Sequence, residues 1–363
     1  MNIIGGILKG KRFAGNSFTI CGMNKTSSHL AHHGNDLCLL AGDIGGTKTL
    51  LQINTADSVL QKSYASADYA GLEEIIADFL HGAGIARVDA ACFALAGPVA
   101  GRVGRLTNLP WPDVDADALV SRCPIGRVEL INDFEAIGHS LAVLPQDSLL
   151  TLQEGQAQAH GVRLATGPGT GLGLVWLTPT AHNGYAVHPS ESGHADFAPV
   201  DELQWDLLRY LSQRHGRATY ERVVSGPGLV EIYRFLQESG RATPSPQLLA
   251  AMAEGNPAAA ISHFAQHEDE AIARMALELF CAVFGAFVGN MALVFLPRGG
   301  IYLSGGIPAK IADALKQGAF LRAFRDKGRF AGLLETLPIH IVTDPYPGLL
   351  GARAFILDAL PKK

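Results

Sequence analysis

The chain has 363 residues, of which 48% are hydrophobic and 17% are charged, and it contains 41 glycines. This is the composition of a globular protein rich in turns, and the length favours two domains, because single cores rarely grow beyond about 250–300 residues. A formal charge of −5 excludes a strongly basic surface for nucleic acid or anionic membranes. The five cysteines include no C-x-x-C pair, which argues against a disulfide framework or a zinc site and fits a reducing cytoplasm.

Residues 1–37 differ from the rest of the chain and are predicted to form a flexible extension. They mix Gly, Ser, Asn and Lys with a small histidine cluster at His29, His32 and His33. A metal site at these histidines is the alternative to a solvated tail. The apolar run at 3–8 is too short for a secretory signal, and basic residues follow it.

The first regular segment consists of two apolar runs around the turn Gly42-Asp-Ile-Gly-Gly-Thr47. This pattern predicts a strand, a turn and a second strand. Gly45 and Gly46 allow the backbone to approach a phosphate closely, Thr47 adds a hydroxyl donor, and Asp43 could orient a hydrated Mg²⁺. A plain hairpin turn is the alternative. The strand that follows excludes a Walker A loop, in which a helix follows the glycines.

The next elements alternate between helix and strand. Apolar residues at helical spacing from Leu72 predict a helix, and 88–95 is predicted to be a buried strand. A short strand at 128–131 leads into Asn132 and Asp133, where a second helical pattern begins. Both side chains therefore lie where a strand meets a helix N-terminus, which keeps a carboxylate ionised as a general base requires. The alternative is that this pair only caps the helix.

A second strand, turn and strand is predicted at 163–176, where Gly169, Thr170 and Gly171 repeat the plan of the first turn. The glycines are spaced by two and a strand follows them, so this is not the Rossmann fingerprint. Two such turns, each opening a half rich in βαβ units, indicate a duplicated fold whose halves clamp one nucleotide.

Polar residues suited to a sugar follow the second turn. Glu191 and His194 are three residues apart, and no further His or Cys cluster lies nearby. Hydrogen bonding to a polyhydroxylated ligand therefore explains them better than a metal site. A buried histidine beside a surface glutamate is the alternative. Glu221 precedes another turn and is uninformative by itself.

The apolar run 279–296 is long enough to raise the question of a membrane span. Asn290 lies inside it, and neither an aromatic belt nor a basic cluster frames it. A buried core helix is predicted instead, with Gly285 and Gly289 allowing close packing.

The last part of the chain returns to alternating strands and helices. The stretch 300–306 is predicted to be a strand ending in Gly305 and Gly306, with a helix after it, which suits a nucleoside lying on the backbone. A further strand is predicted at 339–342, and a terminal helix from Pro347.

Taken together, these motifs resemble the bacterial glucokinase family, part of the actin-like ATPase and sugar-kinase superfamily. They occur in family order and are Gly42-Asp-Ile-Gly-Gly-Thr47, Ile131-Asn-Asp-Phe134, Gly167-Pro-Gly-Thr-Gly-Leu-Gly173, Glu191-Ser-Gly-His-Ala-Asp-Phe197, Glu221-Arg-Val-Val-Ser-Gly-Pro-Gly228, Ser304-Gly-Gly306 and Pro347-Gly-Leu-Leu-Gly351. The resemblance implies a two-domain, duplicated α/β fold of the actin-like (ribonuclease H-like) type with an interdomain cleft. The small domain would span 38–143 with 344–363, and the large domain 144–343.

The resemblance also implies an ATP:D-glucose 6-phosphotransferase that requires Mg²⁺ and works in the cytoplasm. It makes Asp133 the base that faces the sugar 6-hydroxyl. The residues implied to bind the sugar are Asn132, Asp133, Glu191, His194 and Glu221. The residues implied to bind ATP are Gly42, Asp43, Ile44, Gly45, Gly46, Thr47, Gly169, Thr170, Gly171, Gly305 and Gly306, with Asp43 also at the metal.

Three positions depart from the family pattern, and they affect the expected phosphate geometry more than the reaction. Ser192 stands where Gly is often seen, Lys48 where Asn is common, and Pro168 where a small residue is usual. A homodimer is expected only because twofold dimers are the commonest soluble oligomers.

Two other functions remain as alternatives. A sugar-responsive regulator without catalysis would need a DNA-binding module, for which the extension lacks helix-turn-helix patterning. An actin-like ATPase would share the phosphate turns but gives no reason for Asn132 and Asp133 together with Glu191 and His194.

Overall fold

The structure is a computed structural model that describes residues 19–20, 37–55, 58–182 and 184–360. The chain divides into two compact units, Met1–Pro145 with Tyr346–Lys363, and Gln146–Pro345. Most of the predicted extension 1–37, including its histidine cluster, lies outside the described residues. Within it, Thr19–Ile20 form a short strand that pairs with a strand of the first unit.

The first unit is a twisted sheet with helices on its faces. Its strands are β1 (Thr19–Ile20), β2 (Leu39–Ile44), β3 (Lys48–Asn54), β4 (Val59–Ala65), β5 (Ala90–Leu95), β6 (Val99–Ala100), β7 (Val103–Gly104), β8 (Val114–Asp115) and β9 (Val128–Asn132). Its helices are α1 (Leu72–Ala83), α2 (Ala116–Arg122), α3 (Asp133–Ser140) and, after the second unit, α13 (Pro347–Ala359). The main sheet has the order β1-β4-β3-β2-β5-β9, and β6, β7 and β8 form a small sheet of their own.

The second unit combines one sheet with a large helical part. Its strands are β10 (Leu149–Gln153), β11 (Arg163–Pro168), β12 (Leu172–Pro179), β13 (Tyr185–Ser190), β14 (Gly300–Leu303) and β15 (Ile339–Val342). Its helices are α4 (Glu202–His215), α5 (Tyr220–Val223), α6 (Gly226–Glu238), α7 (Pro246–Glu254), α8 (Pro257–His267), α9 (Ala271–Phe295), α10 (Ala312–Lys316), α11 (Ala319–Arg325) and α12 (Ala331–Glu335). The sheet has the order β10-β15-β14-β11-β12-β13.

The two sheets share one plan, as the repeated turns predict. In the first unit β2, β3 and β4 pair antiparallel in succession, while β5 and then β9 add to β2 in parallel. In the second unit β11, β12 and β13 pair antiparallel, while β14 and then β15 add to β11 in parallel. The turn after β2 and the turn after β11 therefore hold equivalent positions. The duplication predicted from the two glycine turns is present in the strand pairing.

The cores explain why these sequences form these elements. All residues of β5 are buried, because helices cover both faces of the first sheet. In the second unit α9 is the central core helix, and a Cβ added at Gly289 would lie 2.5 Å from the Phe324 carbonyl oxygen on α11. This glycine allows the close helix packing predicted for the apolar run.

The helix α9 is, within the described ranges, the one that is long and apolar enough to cross a membrane. However, 67% of its most apolar 18-residue window is buried inside the protein. A core helix of a soluble protein has the same length and composition, so this helix by itself is weak evidence for a membrane span.

Candidate active site

A buried serine forms hydrogen bonds to the first glycine turn. The Gly45 N–H donates to the Lys48 carbonyl at 2.9 Å and closes the turn between β2 and β3. Ser66 is fully buried, its Oγ donates to the Gly45 carbonyl at 2.9 Å, and its backbone N–H donates to the Thr47 carbonyl at 3.2 Å. Thr47 and Lys48 themselves are exposed. The turn is thus fixed on the protein side and open on the other, as a phosphate-binding loop must be.

Residues around the turn explain why glycine is needed there. A Cβ at Gly46 would lie 2.8 Å from the Cβ of Asn108, closer than folded proteins tolerate. On β2, Gly42 and Ile44 are buried, and a Cβ at Gly42 would meet Phe93 at 2.6 Å. Gly42 and Ile44 therefore pack in the core, and only their backbone is available to a nucleotide.

Asp43 is a half-buried carboxylate at the base of the first turn. Burial raises its pKa to about 6, and the positive charge of Lys48 opposes the rise. A Cβ at Gly348, at the start of α13, would lie 2.9 Å from its Oδ2, so the helix begins directly against the carboxylate. Among the described residues no hydrogen-bond donor reaches this carboxylate. A carboxylate that burial disfavours and that accepts no hydrogen bond suits a bound cation.

Asn132 lies at the junction between β9 and α3, as predicted, and it caps the helix. Its Oδ1 accepts hydrogen bonds from the N–H groups of Phe134 at 2.9 Å and Glu135 at 3.3 Å. The Glu135 Oε2 accepts in turn from the Asn132 N–H at 3.3 Å, which completes a capping box. The Asn132 Nδ2 donates to the Gly97 carbonyl at 3.1 Å. One N–H of the amide is left for a ligand.

Asp133 is the first residue of α3 and is half-buried. Its Oδ1 accepts from the Phe134 N–H at 2.9 Å. The positive end of the helix favours the ionised carboxylate at this place. The position of Asp133 therefore suits a general base.

The second glycine turn joins β11 to β12 and meets the predicted Gly305-Gly306 segment. The Gly169 N–H donates to the Gly171 carbonyl at 2.8 Å, and the Gly226 N–H at the start of α6 donates to the Gly169 carbonyl at 2.9 Å. Gly305, with φ of 98°, follows β14, and a Cβ there would lie 3.1 Å from the Pro168 carbonyl oxygen. Since β11 and β14 are parallel neighbours, both segments lie at one edge of the sheet, where α/β proteins bind nucleotides.

The sugar-binding candidates of the second unit form one cluster. The His194 Nε2 lies 3.8 Å from Glu191 Oε2, and its Nδ1 lies 3.9 Å from Glu221 Oε1. The other carboxylate oxygen of Glu221 accepts from the Leu172 N–H at 2.9 Å, directly after the second glycine turn. The side chains of Glu191 and His194 are 73% and 58% exposed, so they are accessible to a ligand, and His194 is not the buried histidine of the alternative interpretation.

Two residues that support the site, Ser66 and Glu135, were not predicted from the sequence. Ser66 lies 21 residues from Gly45, whose turn it holds, and no local pattern marks it. Glu135 stands three residues after Asn132, which is the capping-box spacing and is visible in the sequence. Burial raises the pKa of Glu135, while the bond from the Asn132 N–H opposes the rise.

Comparison with known proteins shows the family to which the chain belongs. A family model described as Glucokinase matches residues 40–359. A glucokinase of Nostoc sp. strain PCC 7120 is 42% identical over 334 residues, which cover 86% of this chain and 97% of that protein. A crystal structure of a glucokinase from an Antarctic psychrotroph has a TM-score of 0.73 at 28% identity and covers 90% of this chain and 100% of its own.

A more distant structure shows the same fold. It is a ROK family glucokinase from Streptomyces griseus in complex with glucose and AMPPNP, with a TM-score of 0.59 at 19% identity over 87% of this chain and 97% of that one. These similarities confirm the predicted two-unit α/β sugar-kinase fold. With the family model matching nearly the whole of the described chain, the protein belongs to the glucokinase family.

Proposed function

We propose that this chain transfers the γ-phosphoryl group of ATP to the 6-hydroxyl of D-glucose and releases glucose 6-phosphate and ADP. The observation that carries the proposal is the cluster of Glu191, His194 and Glu221 beside the second glycine turn. An actin-like ATPase needs such a turn but has no use for three hydrogen-bonding side chains next to it. The named glucokinases among the relatives support the same assignment, and one of them binds glucose and AMPPNP.

The sugar-binding roles follow the chemistry of each side chain. Glu191 and Glu221 accept hydrogen bonds from sugar hydroxyls, and His194 donates or accepts according to its tautomer. Asn132 offers its remaining amide N–H, since its other polar groups hold α3 and Gly97.

Asp133 takes the proton of the attacking 6-hydroxyl. A hydroxyl is a poor nucleophile until its proton has an acceptor, and phosphoryl transfer otherwise depends on positioning and charge. The start of α3 favours the ionised form that can act as that acceptor.

ATP binding is assigned to backbone groups of both turns and of the 305–306 segment, with hydroxyls from Thr47 and Thr170. Mg²⁺ is held through Asp43 in this proposal. The described residues contain no group of three His, Cys, Asp or Glu that could hold a metal ion, but Mg²⁺ is commonly bound by one or two carboxylates with phosphate oxygens and water. The unpartnered, half-buried Asp43 carboxylate fits that requirement. The bound ion would neutralise charge on the transferred phosphoryl group.

Three further assignments complete the proposal. The domains correspond to 38–143 with 344–363 and to 144–343, and the two compact units support boundaries within a few residues of these. The enzyme works in the cytoplasm, and it forms a homodimer.

A coupled assay of ADP release with and without glucose tests the function. Glucose-dependent release together with formation of glucose 6-phosphate is the expected result. Release that does not depend on glucose would instead indicate an actin-like ATPase. Glucose binding without any release would indicate a regulator.

A further inference from the structure

The Glu221 side chain contacts two functional segments at once. Its Oε2 accepts from the Leu172 N–H at 2.9 Å, and its Oε1 lies 3.9 Å from the His194 Nδ1. Leu172 directly follows the turn 169–171, and a Cβ at Gly171 would lie 2.5 Å from the same Oε2. One carboxylate therefore lies between the sugar cluster and the nucleotide turn.

The backbone of Glu221 is held firmly by its neighbours. The Ser225 Oγ donates to the Glu221 carbonyl at 2.7 Å, and the Tyr220 N–H donates to the Ala195 carbonyl at 3.0 Å. The Tyr220 hydroxyl accepts from Asn290 Nδ2 on α9 at 2.9 Å. With the backbone fixed, the carboxylate is the part of the residue that can respond to a ligand.

Glu191 provides a contrast within the same cluster. It lies at a similar distance from His194, at 3.8 Å, but its side chain is 73% exposed and accepts no hydrogen bond from the turn among the described residues. The two glutamates thus have the same charge and the same histidine neighbour. They differ in the bond to the turn.

We propose that Glu221 is a positioning residue that couples glucose binding to nucleotide binding within the second unit. The inference rests on the proposed function of the cluster and the turn. A sugar hydroxyl that donates to Oε1 fixes the carboxylate in the orientation in which Oε2 holds the Leu172 N–H. The turn 169–171 is then ordered before ATP arrives, so ATP binds more tightly.

Thermodynamic linkage makes this coupling reciprocal. If glucose lowers the dissociation constant of the nucleotide by some factor, the nucleotide lowers that of glucose by the same factor. Coupling between sites is typically about 5- to 150-fold, so at least about fivefold is expected for the wild type.

The test measures the dissociation constant of AMPPNP by calorimetry, with and without saturating glucose, in four variants. Glu221→Ala removes both contacts. Glu221→Gln keeps an acceptor for the Leu172 N–H. Gly171→Ala keeps every sugar-binding side chain but displaces the carboxylate from the turn. Glu254→Ala, at an exposed glutamate at the end of α7, is the control.

Without glucose, Glu221→Ala is expected to raise the AMPPNP dissociation constant by about fivefold or more, while Glu221→Gln and Glu254→Ala stay within about twofold of wild type. The glucose-dependent factor is the ratio of the AMPPNP dissociation constants without and with glucose. It should fall to within about twofold of unity in Gly171→Ala, although that variant still binds glucose. Glu221→Ala and Gly171→Ala should not be additive, because they break the same contact.

A wild-type factor of unity, or an unchanged factor in Gly171→Ala, overturns the inference. The proposed function fails separately, through absence of glucose-dependent ADP release in the wild type. If the wild type phosphorylates glucose and Gly171→Ala keeps the wild-type effect of glucose on AMPPNP affinity, the proposed function stands and only the coupling inference fails.

Discussion

The two glycine turns occupy equivalent positions in two sheets of the same plan, but different chemistry holds them. A buried, neutral hydroxyl from Ser66 holds the turn 45–47. A carboxylate from Glu221, shared with the sugar cluster, holds the region after the turn 169–171. Duplication thus preserved the backbone of the turns, which is proposed to bind phosphate, and not the side chains that support it.

Because the two turns have different supports, changes in the two units are expected to have different effects. The first turn has a fixed support and lies on the unit that carries the candidate base Asp133 and the candidate metal ligand Asp43. The second turn is supported by Glu221, which belongs to the proposed sugar site. Changes in the first unit should therefore alter the chemical step or nucleotide affinity directly, whereas changes around Glu221 should alter how nucleotide affinity responds to glucose.

The largest effect is expected for Asp133→Asn, which keeps the shape of the side chain and removes the base. General-base removal typically lowers kcat by about 10²–10⁴-fold, while glucose should still bind. Asp115→Asn is the matched control, since Asp115 is the aspartate that caps α2. Steady-state kinetics of both variants make the comparison. Equal, small losses would show that Asp133 acts only at the helix end.

The two turns should also differ in their tolerance of a methyl group. Gly46→Ala places a Cβ 2.8 Å from Asn108, whereas a Cβ at Gly169 meets nothing within 4 Å. Overpacking typically costs about 1–3 kcal/mol, so Gly46→Ala should lower the free energy of unfolding by that amount and Gly169→Ala should not. Both variants should raise the KM for ATP, because ATP is proposed to bind the backbone of both turns and to lie in the space next to Gly169. Urea unfolding and ATP kinetics would show the opposite pattern if the first turn were the more open one.

Asp43 should give the first unit a pH-dependent stability. Burial raises the folded-state pKa to about 6, above its unfolded value, so the ionised carboxylate destabilises the fold. The penalty is absent below about pH 4, grows between about pH 4 and 6, and is complete above that. Asp43→Asn should therefore be more stable than wild type by about 1–3 kcal/mol at neutral pH, and equal to it in acid. A stability gap that does not change with pH in urea unfolding experiments would contradict the burial of this charge.

The smallest effect is expected for Ser66→Ala, which removes the hydroxyl behind the first turn. The net loss of one hydrogen bond is about 1 kcal/mol, or roughly a fivefold rise in the KM for ATP. The KM for glucose should stay unchanged, because the described hydrogen bonds of the Ser66 hydroxyl are with the Gly45 carbonyl and with Thr49. Ser121→Ala controls for the loss of a hydroxyl, since the hydroxyl of this exposed serine donates to the Ala118 carbonyl within α2.

The sequence predicted the parts of the site that depend on local patterns. Paired glycines between apolar runs indicated both turns, and the change from strand to helical spacing located Asn132 and Asp133. The supports behind the turns could not be found in this way, because the bond from Leu172 to Glu221 joins residues 49 positions apart. Glu221 was uninformative by itself, and only the family resemblance included it. Contacts of this kind follow from the packing of α5 against α6 and α9, which no local periodicity encodes.

The most direct test of the contrast measures AMPPNP binding to Ser66→Ala and Gly171→Ala side by side, with and without saturating glucose. Ser66→Ala should bind AMPPNP more weakly in both conditions and keep the wild-type glucose-dependent factor. Gly171→Ala should lose that factor. If both variants keep the factor, or both lose it to the same extent, the two turns do not differ in their response to sugar, and the roles given to Ser66 and Glu221 are wrong.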